Sequence, residues 1–125
     1  MIAHVSINVS DFNKSKEFYK KALKPLGYDV LMDLAEWNVA GLGEPGKPDL
    51  WLHAGGAKQP THVAFAANSK ETVNDFYDAA IKAGGKDNGK PEYCKDYGPG
   101  YYAGFVFDPD GNNVEVMFMD PNPTE

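Results

Sequence analysis

Two histidines, His4 and His62, each stand at the head of a short β-type run, HVSINV and HVAFAA, and one acid, Glu115, interrupts a third such run, NVEVMFM. Two imidazoles and a carboxylate form a three-donor set that leaves coordination positions open. That 2-His-1-carboxylate composition suits Fe(II) and also accommodates Mn(II), Ni(II) or Zn(II). A strand histidine by itself is more often hydrogen-bonded or solvent-facing than a ligand. The third histidine, His53, is a solvated strand end, a reserve donor or a candidate acid–base group, and Tyr101 is either a packing residue or a phenol donor at a cavity. Trp51 and Phe105 are candidate cavity walls.

What relates the histidines is an internal repeat. A constant offset lays HVSINVSDFNKSKEFYKKALKPLGYD, from His4, over HVAFAANSKETVNDFYDAAIKAGGKD, from His62. His4 and Val5 meet His62 and Val63, Phe18 and Tyr19 meet Phe76 and Tyr77, and Ala22, Lys24, Gly27 and Asp29 meet Ala80, Lys82, Gly85 and Asp87. Two unrelated core histidines have no reason to fall at equivalent positions.

Each half opens with a strand (residues 4–9 and 62–67) closed by residues able to cap a helix, Ser10 or Asp11 and Asn68 or Ser69. Apolar residues at helical spacing follow, with Pro25 ending the first helix and Gly84-Gly85 the second. Three more strands are expected in each half, at 28–33, 37–41 and 49–53, then at 86–91, 101–107 and 113–119, with Asp110-Gly111 as a tight hairpin turn. The pattern predicts an α+β fold of two tandem βαβββ modules in a single domain over 1–125. Module 1 covers about 1–56 and module 2 about 60–120, joined by the Gly55–Pro60 linker. Side chains alternate along a strand, so Val5, Ile7 and Val9 face the helices while His4, Ser6 and Asn8 face away. The same rule puts His62, Glu115, Trp51 and His53 on the face without helices.

Twelve lysines, no arginine and eighteen acids give a formal net charge of −6, which argues against a nucleic acid or an anionic membrane as partner. The lone Cys94 has no disulfide or CxxC partner and, beside Lys95 in a polar loop, nothing that makes it a nucleophile. The expectation is a cytoplasmic protein without a signal peptide or membrane span. Gly98-Pro99-Gly100 is not a phosphate cradle, because no Lys-Ser/Thr helix start follows it.

The segments HVSINVSDFNKSKEFY, HVAFAA and FVFDPDGNNVEVMF, set in the doubled βαβββ pattern, resemble the vicinal oxygen chelate superfamily. It includes glyoxalase I, extradiol ring-cleaving dioxygenases, fosfomycin-modifying enzymes and bleomycin-resistance proteins. The resemblance implies a paired half-barrel with helices on its outer face, a homodimer, and a divalent metal held by His4, His62 and Glu115. By hairpin equivalence the family's fourth ligand position falls on Trp51, which cannot ligate a metal, so the chain departs from the glyoxalase I pattern. The implied activity is that of a metal-dependent lyase, isomerase or ring-cleaving dioxygenase on a small oxygenated molecule. Tyr101 or His53 would be its acid–base group, with Trp51, Tyr101 and Phe105 lining the pocket. The alternative is a bleomycin-resistance-type protein that sequesters a cationic drug without chemistry.

Overall fold

In the computed structural model, which describes residues 2–55 and 60–124, the first strand, β1 (Val5–Val9), obeys the expected alternation: Ile7 and Val9 are buried and Ser6 and Asn8 exposed. Helix α1 (Phe12–Ala22) starts at Asp11, whose carboxylate accepts the Lys14 N–H. Helix α2 (Lys70–Lys82) starts at Ser69, whose hydroxyl accepts the Thr72 N–H. Each cap satisfies a donor that the first helical turn leaves open. Pro25 does not itself end α1. The helix stops at Ala22, and Pro25 sits inside a separate 3-10 turn over Lys24–Leu26.

The remaining strands are β2 (Asp29–Leu34), β3 (Val39–Glu44), β4 (Lys47–Ala54), β5 (His62–Ala66), β6 (Lys86–Tyr93), β7 (Tyr101–Phe107) and β8 (Asn113–Met119). They form two four-stranded mixed sheets, ordered β1-β4-β3-β2 and β5-β8-β7-β6, in which β1–β4 and β5–β8 are parallel pairs. The tandem βαβββ architecture is therefore present, with the two sheets separate and not closed into a barrel. Residues 56–59 of the expected linker lie outside the described residues.

Two local expectations change. Trp37 belongs to a 3-10 turn and is 70% exposed; β3 begins only after Asn38, whose φ of 56° is a left-handed conformation that asparagine tolerates and a strand does not. The β7–β8 connection is a five-residue loop, not a two-residue hairpin at Asp110-Gly111. Asp108 Oδ1 accepts the N–H groups of both Asp110 and Asn112 at 2.8 Å, and the Gly111 N–H closes a turn onto the Asp108 carbonyl. The buried carboxylate organises the longer loop.

That loop also ties the two halves together. The Tyr19 hydroxyl, buried on α1, donates to Asp108 Oδ2 at 2.5 Å, and Asn112 Nδ2 donates to the same oxygen at 2.8 Å. Asp110 accepts the Ser10 N–H at 3.1 Å, just before α1. Burial first, then the Asp108 charge, push the Tyr19 phenol well above its ordinary pKa, so the donor stays protonated. Gly85 permits the close approach beside this lock: a Cβ there would meet Val106 Cγ1 at 2.4 Å and Phe18 Cε1 at 2.8 Å. One core results, containing Ile7, Phe18, Leu50 and Leu52 from the first half and Phe76, Val114 and Val116 from the second.

Candidate functional site

Sheet register decides which side chains share an open face. In the first sheet Trp51 of β4 lies between Ser6 of β1 and Gly41 of β3. In the second, Glu115 of β8 lies between Ala64 of β5 and Phe105 of β7. The hairpin equivalence of Trp51 and Glu115 thus corresponds to equivalent register positions. Trp51 lies over Gly41, where a Cβ would stand only 2.8 to 3.0 Å from its ring carbons, so glycine is what lets the indole lie down.

Glu115 is the centre of the second face. Its side chain is only 4% exposed, while that of His62 is 54% exposed, and His62 Nε2 lies 2.8 Å from Glu115 Oε1. The Tyr101 hydroxyl donates to Glu115 Oε2 at 2.5 Å. A buried carboxylate needs such donors, since burying it unpaired would cost several kcal/mol, on the order of the desolvation penalty for a charge. Burial, followed by the hydrogen bond and charge of Glu115, raises the Tyr101 phenol far above its ordinary pKa, so it remains a proton donor through neutral pH. Beside this cluster runs a groove of about 470 Å³ lined by Lys90, Glu92, Cys94, Lys95, Tyr97 and Phe105. Tyr97 meets the Tyr101 ring edge-on, with centroids 5.3 Å apart.

The site residues named from the sequence divide between the two sheets. His62, Glu115 and Tyr101 meet, and Phe105 is the cross-strand neighbour of Glu115. His4 is exposed and lines a different groove, of about 320 Å³, with Tyr28, Asp49 and residues 63–66 of β5. There the Tyr28 hydroxyl donates to Asp49 Oδ1 at 2.7 Å. Burial and Asp49 raise the Tyr28 phenol as Glu115 raises that of Tyr101. His53, near the end of β4 and in register with Asn8 and Val39, belongs with Trp51 to the first sheet. The groove residues Cys94 and Tyr97 have no place in the sequence-based site; they lie in an irregular stretch where no periodicity tells where a side chain points. Burial and the charges of Glu92 and Glu115 raise the Cys94 thiol, which keeps it out of the nucleophilic thiolate form.

The donor chemistry can be tested against a divalent cation. An imidazole nitrogen and a carboxylate oxygen 2.8 Å apart converge as two neighbouring ligands would, and the pair suits the first-row ions expected from the sequence. At the register position opposite His62, Asn113 Oδ1 is, among the described residues, a buried acceptor with no hydrogen-bond partner. Among those residues no three His, Cys, Asp or Glu side chains gather as a group able to hold an ion. The second sheet therefore brings two potential donors together, without the third that the expected two-histidine, one-carboxylate set requires.

Fold and site together define a class. The profile of the Glyoxalase/Bleomycin resistance protein/Dioxygenase superfamily matches residues 1–116, and the chain belongs to that superfamily. A glyoxalase/bleomycin resistance protein from Albidiferax ferrireducens T118 shares the fold with a TM-score of 0.77 at 24% identity, over 97% of this chain and 98% of its own. So do a glyoxalase/bleomycin resistance protein/dioxygenase family enzyme from Burkholderia phytofirmans PsJN (TM-score 0.71, 19% identity, 94% and 98% covered) and lactoylglutathione lyase from Agrobacterium tumefaciens (0.70, 19%, 94% and 92%). No curated protein matches the chain. Among the described residues no helix is long and apolar enough to cross a membrane.

Proposed function

We propose that this protein is a divalent-metal-dependent enzyme of the lyase, isomerase or ring-cleaving dioxygenase type. It acts on a small oxygenated substrate held in the groove beside Glu115. The observation that carries the reading is the His62–Glu115 pair, a half-exposed imidazole 2.8 Å from a buried carboxylate on the open face of a sheet. A bound Fe(II), Mn(II), Ni(II) or Zn(II) ion would supply a Lewis acid able to hold two adjacent substrate oxygens and stabilise the anion left when a proton or electron departs. His62 and Glu115 hold two positions, and His4 is the third donor. Because His4 lies in a separate groove of its own chain, it comes from a second copy whose first sheet covers the open face of the second.

The same apposition covers the outward side chains of Met117 and Met119, the latter 54% exposed, and makes the working unit a homodimer. It also brings Trp51 to the groove as a wall and His53 as a reserve acid–base group. Within one chain Tyr101 is the group that orients the carboxylate and keeps a proton beside it. A cytoplasmic setting suits its single free thiol, Cys94.

Drug sequestration is the weaker reading, because the groove beside Glu115 sets Lys90 and Lys95 among its acids and so offers no simple negative pocket for a cation. The test is metal content after purification without chelator, followed by turnover of hemithioacetals, catechols and epoxides with each ion. The expected result is one divalent ion per site, lost in His62→Ala and restored when His4→Ala and Glu115→Ala chains are mixed. Equal, negligible metal in wild type and His62→Ala overturns the proposal. So does drug binding indifferent to chelators and to Glu115→Gln in a protein that turns over none of these substrates.

A further inference from the structure

A groove of about 420 Å³ lies where the two halves meet, lined by Lys14 of α1 from the first half and by Lys86, Phe107, Asp108 and Pro109 from the second. It shares no residue with the groove beside Glu115 or with the one lined by His4. Lys86 and Phe107 are register partners across β6 and β7, which sets an exposed ammonium-bearing chain beside a half-buried ring. Lys14 is exposed as well.

The chain carries a formal charge of −6, and this groove runs against that balance. Among the described residues that line it only Asp108 is acidic, and both of its oxygens are in use: Oδ1 accepts two backbone N–H groups, and Oδ2 accepts the Tyr19 hydroxyl and the Asn112 amide. The nearby acids are committed too. Asp11 caps α1, Asp87 Oδ1 accepts the Tyr77 hydroxyl and the Gly89 N–H, and Asp110 accepts the Ser10 N–H. Among the described residues Lys16 is the only lysine in an ion pair, so the ammonium groups of Lys14 and Lys86 are left without a carboxylate partner.

An ammonium is a compact point charge with three donors, and two of them at one groove suit an anionic head with several acceptor oxygens. Phe107 and Pro109 offer apolar area to whatever carries that head. We propose that this groove binds a small organic anion, an aryl phosphate or aryl carboxylate, whose head meets Lys14 and Lys86 and whose ring lies against Phe107 and Pro109. Because Lys14 belongs to one half and its partners to the other, the bound anion links the halves beside the Tyr19–Asp108 hydrogen bond and stabilises the folded chain by mass action. No metal enters, and His62 and Glu115 take no part.

The experiment titrates phenyl phosphate, benzoate and inorganic phosphate into the isotope-labelled full chain and follows amide shifts by NMR. A metal chelator is present throughout, so failure here leaves the metal reading of His62 and Glu115 standing. The expected result is saturable binding of an aryl anion with shifts centred on Lys14, Lys86, Phe107 and Gly111, and weaker binding of inorganic phosphate, which has no ring. Whichever of phenyl phosphate and benzoate binds more tightly identifies the head. Lys14→Gln and Lys86→Gln each weaken that ligand about tenfold, the loss of one hydrogen bond between charged groups, and shrink the rise in thermal midpoint that it causes. Lys47→Gln, at the start of β4 in the first sheet, changes neither. Saturation by none of the three probes overturns the proposal, as does affinity held in both groove variants or lowered equally by Lys47→Gln. Inorganic phosphate binding as tightly as the aryl anions overturns the organic class.

Discussion

At equivalent register positions the first sheet carries Trp51 opposite Gly41, and the second carries Glu115 opposite Phe105. The ring has changed strands. In the first sheet the ring grows from β4 and lies over a glycine on β3; in the second the ring grows from β7, and β8 bears a carboxylate. Each half nevertheless keeps a tyrosine on a carboxylate, Tyr28 on Asp49 and Tyr101 on Glu115, in the groove lined by its histidine or directly beside it. A duplicated scaffold has kept a phenol–carboxylate hydrogen bond in both halves and sets an imidazole beside the carboxylate in the second. The lesson is that a cross-strand pair changes as a unit, because two large side chains cannot share one place on a pleated surface.

Removing the asymmetry at its polar end has the largest expected effect. On the proposed metal reading Glu115→Gln removes a ligand itself, so divalent-ion affinity falls by more than the about 10–100-fold typical of losing a ligand's hydrogen-bond partner, as read by calorimetric titration. Trp51→Gln at the equivalent position leaves that affinity within about threefold, since it removes no donor. Exchanging bulk comes next. Glu115→Trp meets Phe105 where Trp51 meets Gly41, and this overpacking destabilises the fold by about 1–3 kcal/mol in urea denaturation. Gly41→Ala attacks the same complementarity from the other side, costing about 1 kcal/mol or displacing the indole, which a shift in tryptophan fluorescence reports.

The smallest effect is the alkaline limb. Tyr19, Tyr28 and Tyr101 all have phenols raised in the folded state by burial and a neighbouring carboxylate. Between their unfolded and folded values the folded chain holds more protons than the unfolded one, so stability falls as pH rises above about 10. Tyr28→Phe and Tyr101→Phe should each flatten that decline, equally if the two halves are electrostatic equivalents. A pH series of thermal midpoints decides, and a decline unchanged in both variants would remove these two pairs from the explanation.

Much of the fold was legible because its signals are local. Strand alternation fixed which residues of β1, β5 and β8 face the helices, and Asp11 and Ser69 cap their helices through bonds three residues long in sequence. The expected ranges of β7 and β8 agree with the observed strands, because both are compact runs of aromatic and β-branched residues bounded by Gly, Pro and Asn-rich segments. Errors cluster where a side chain overrides the pattern: Asn38 delays β3, and Asp108 lengthens the last turn by accepting two N–H groups.

The sequence alone determined the tandem βαβββ plan, the superfamily resemblance and the residues able to share an open face, because two-residue and helical periodicities are properties of the backbone. Hairpin equivalence also paired Trp51 with Glu115, and the resemblance implied that a ligand position of the family falls on that tryptophan. Only the tertiary structure decided that Tyr101 reaches Glu115, that Tyr19 and Asp108 join the halves, and that His4 lies with Tyr28 and Asp49 while His62 lies against Glu115. Those contacts link residues far apart along the chain, or side chains whose reach depends on how strands twist and pack. A periodicity fixes a face, while the distance between two faces follows from the core that forms between them.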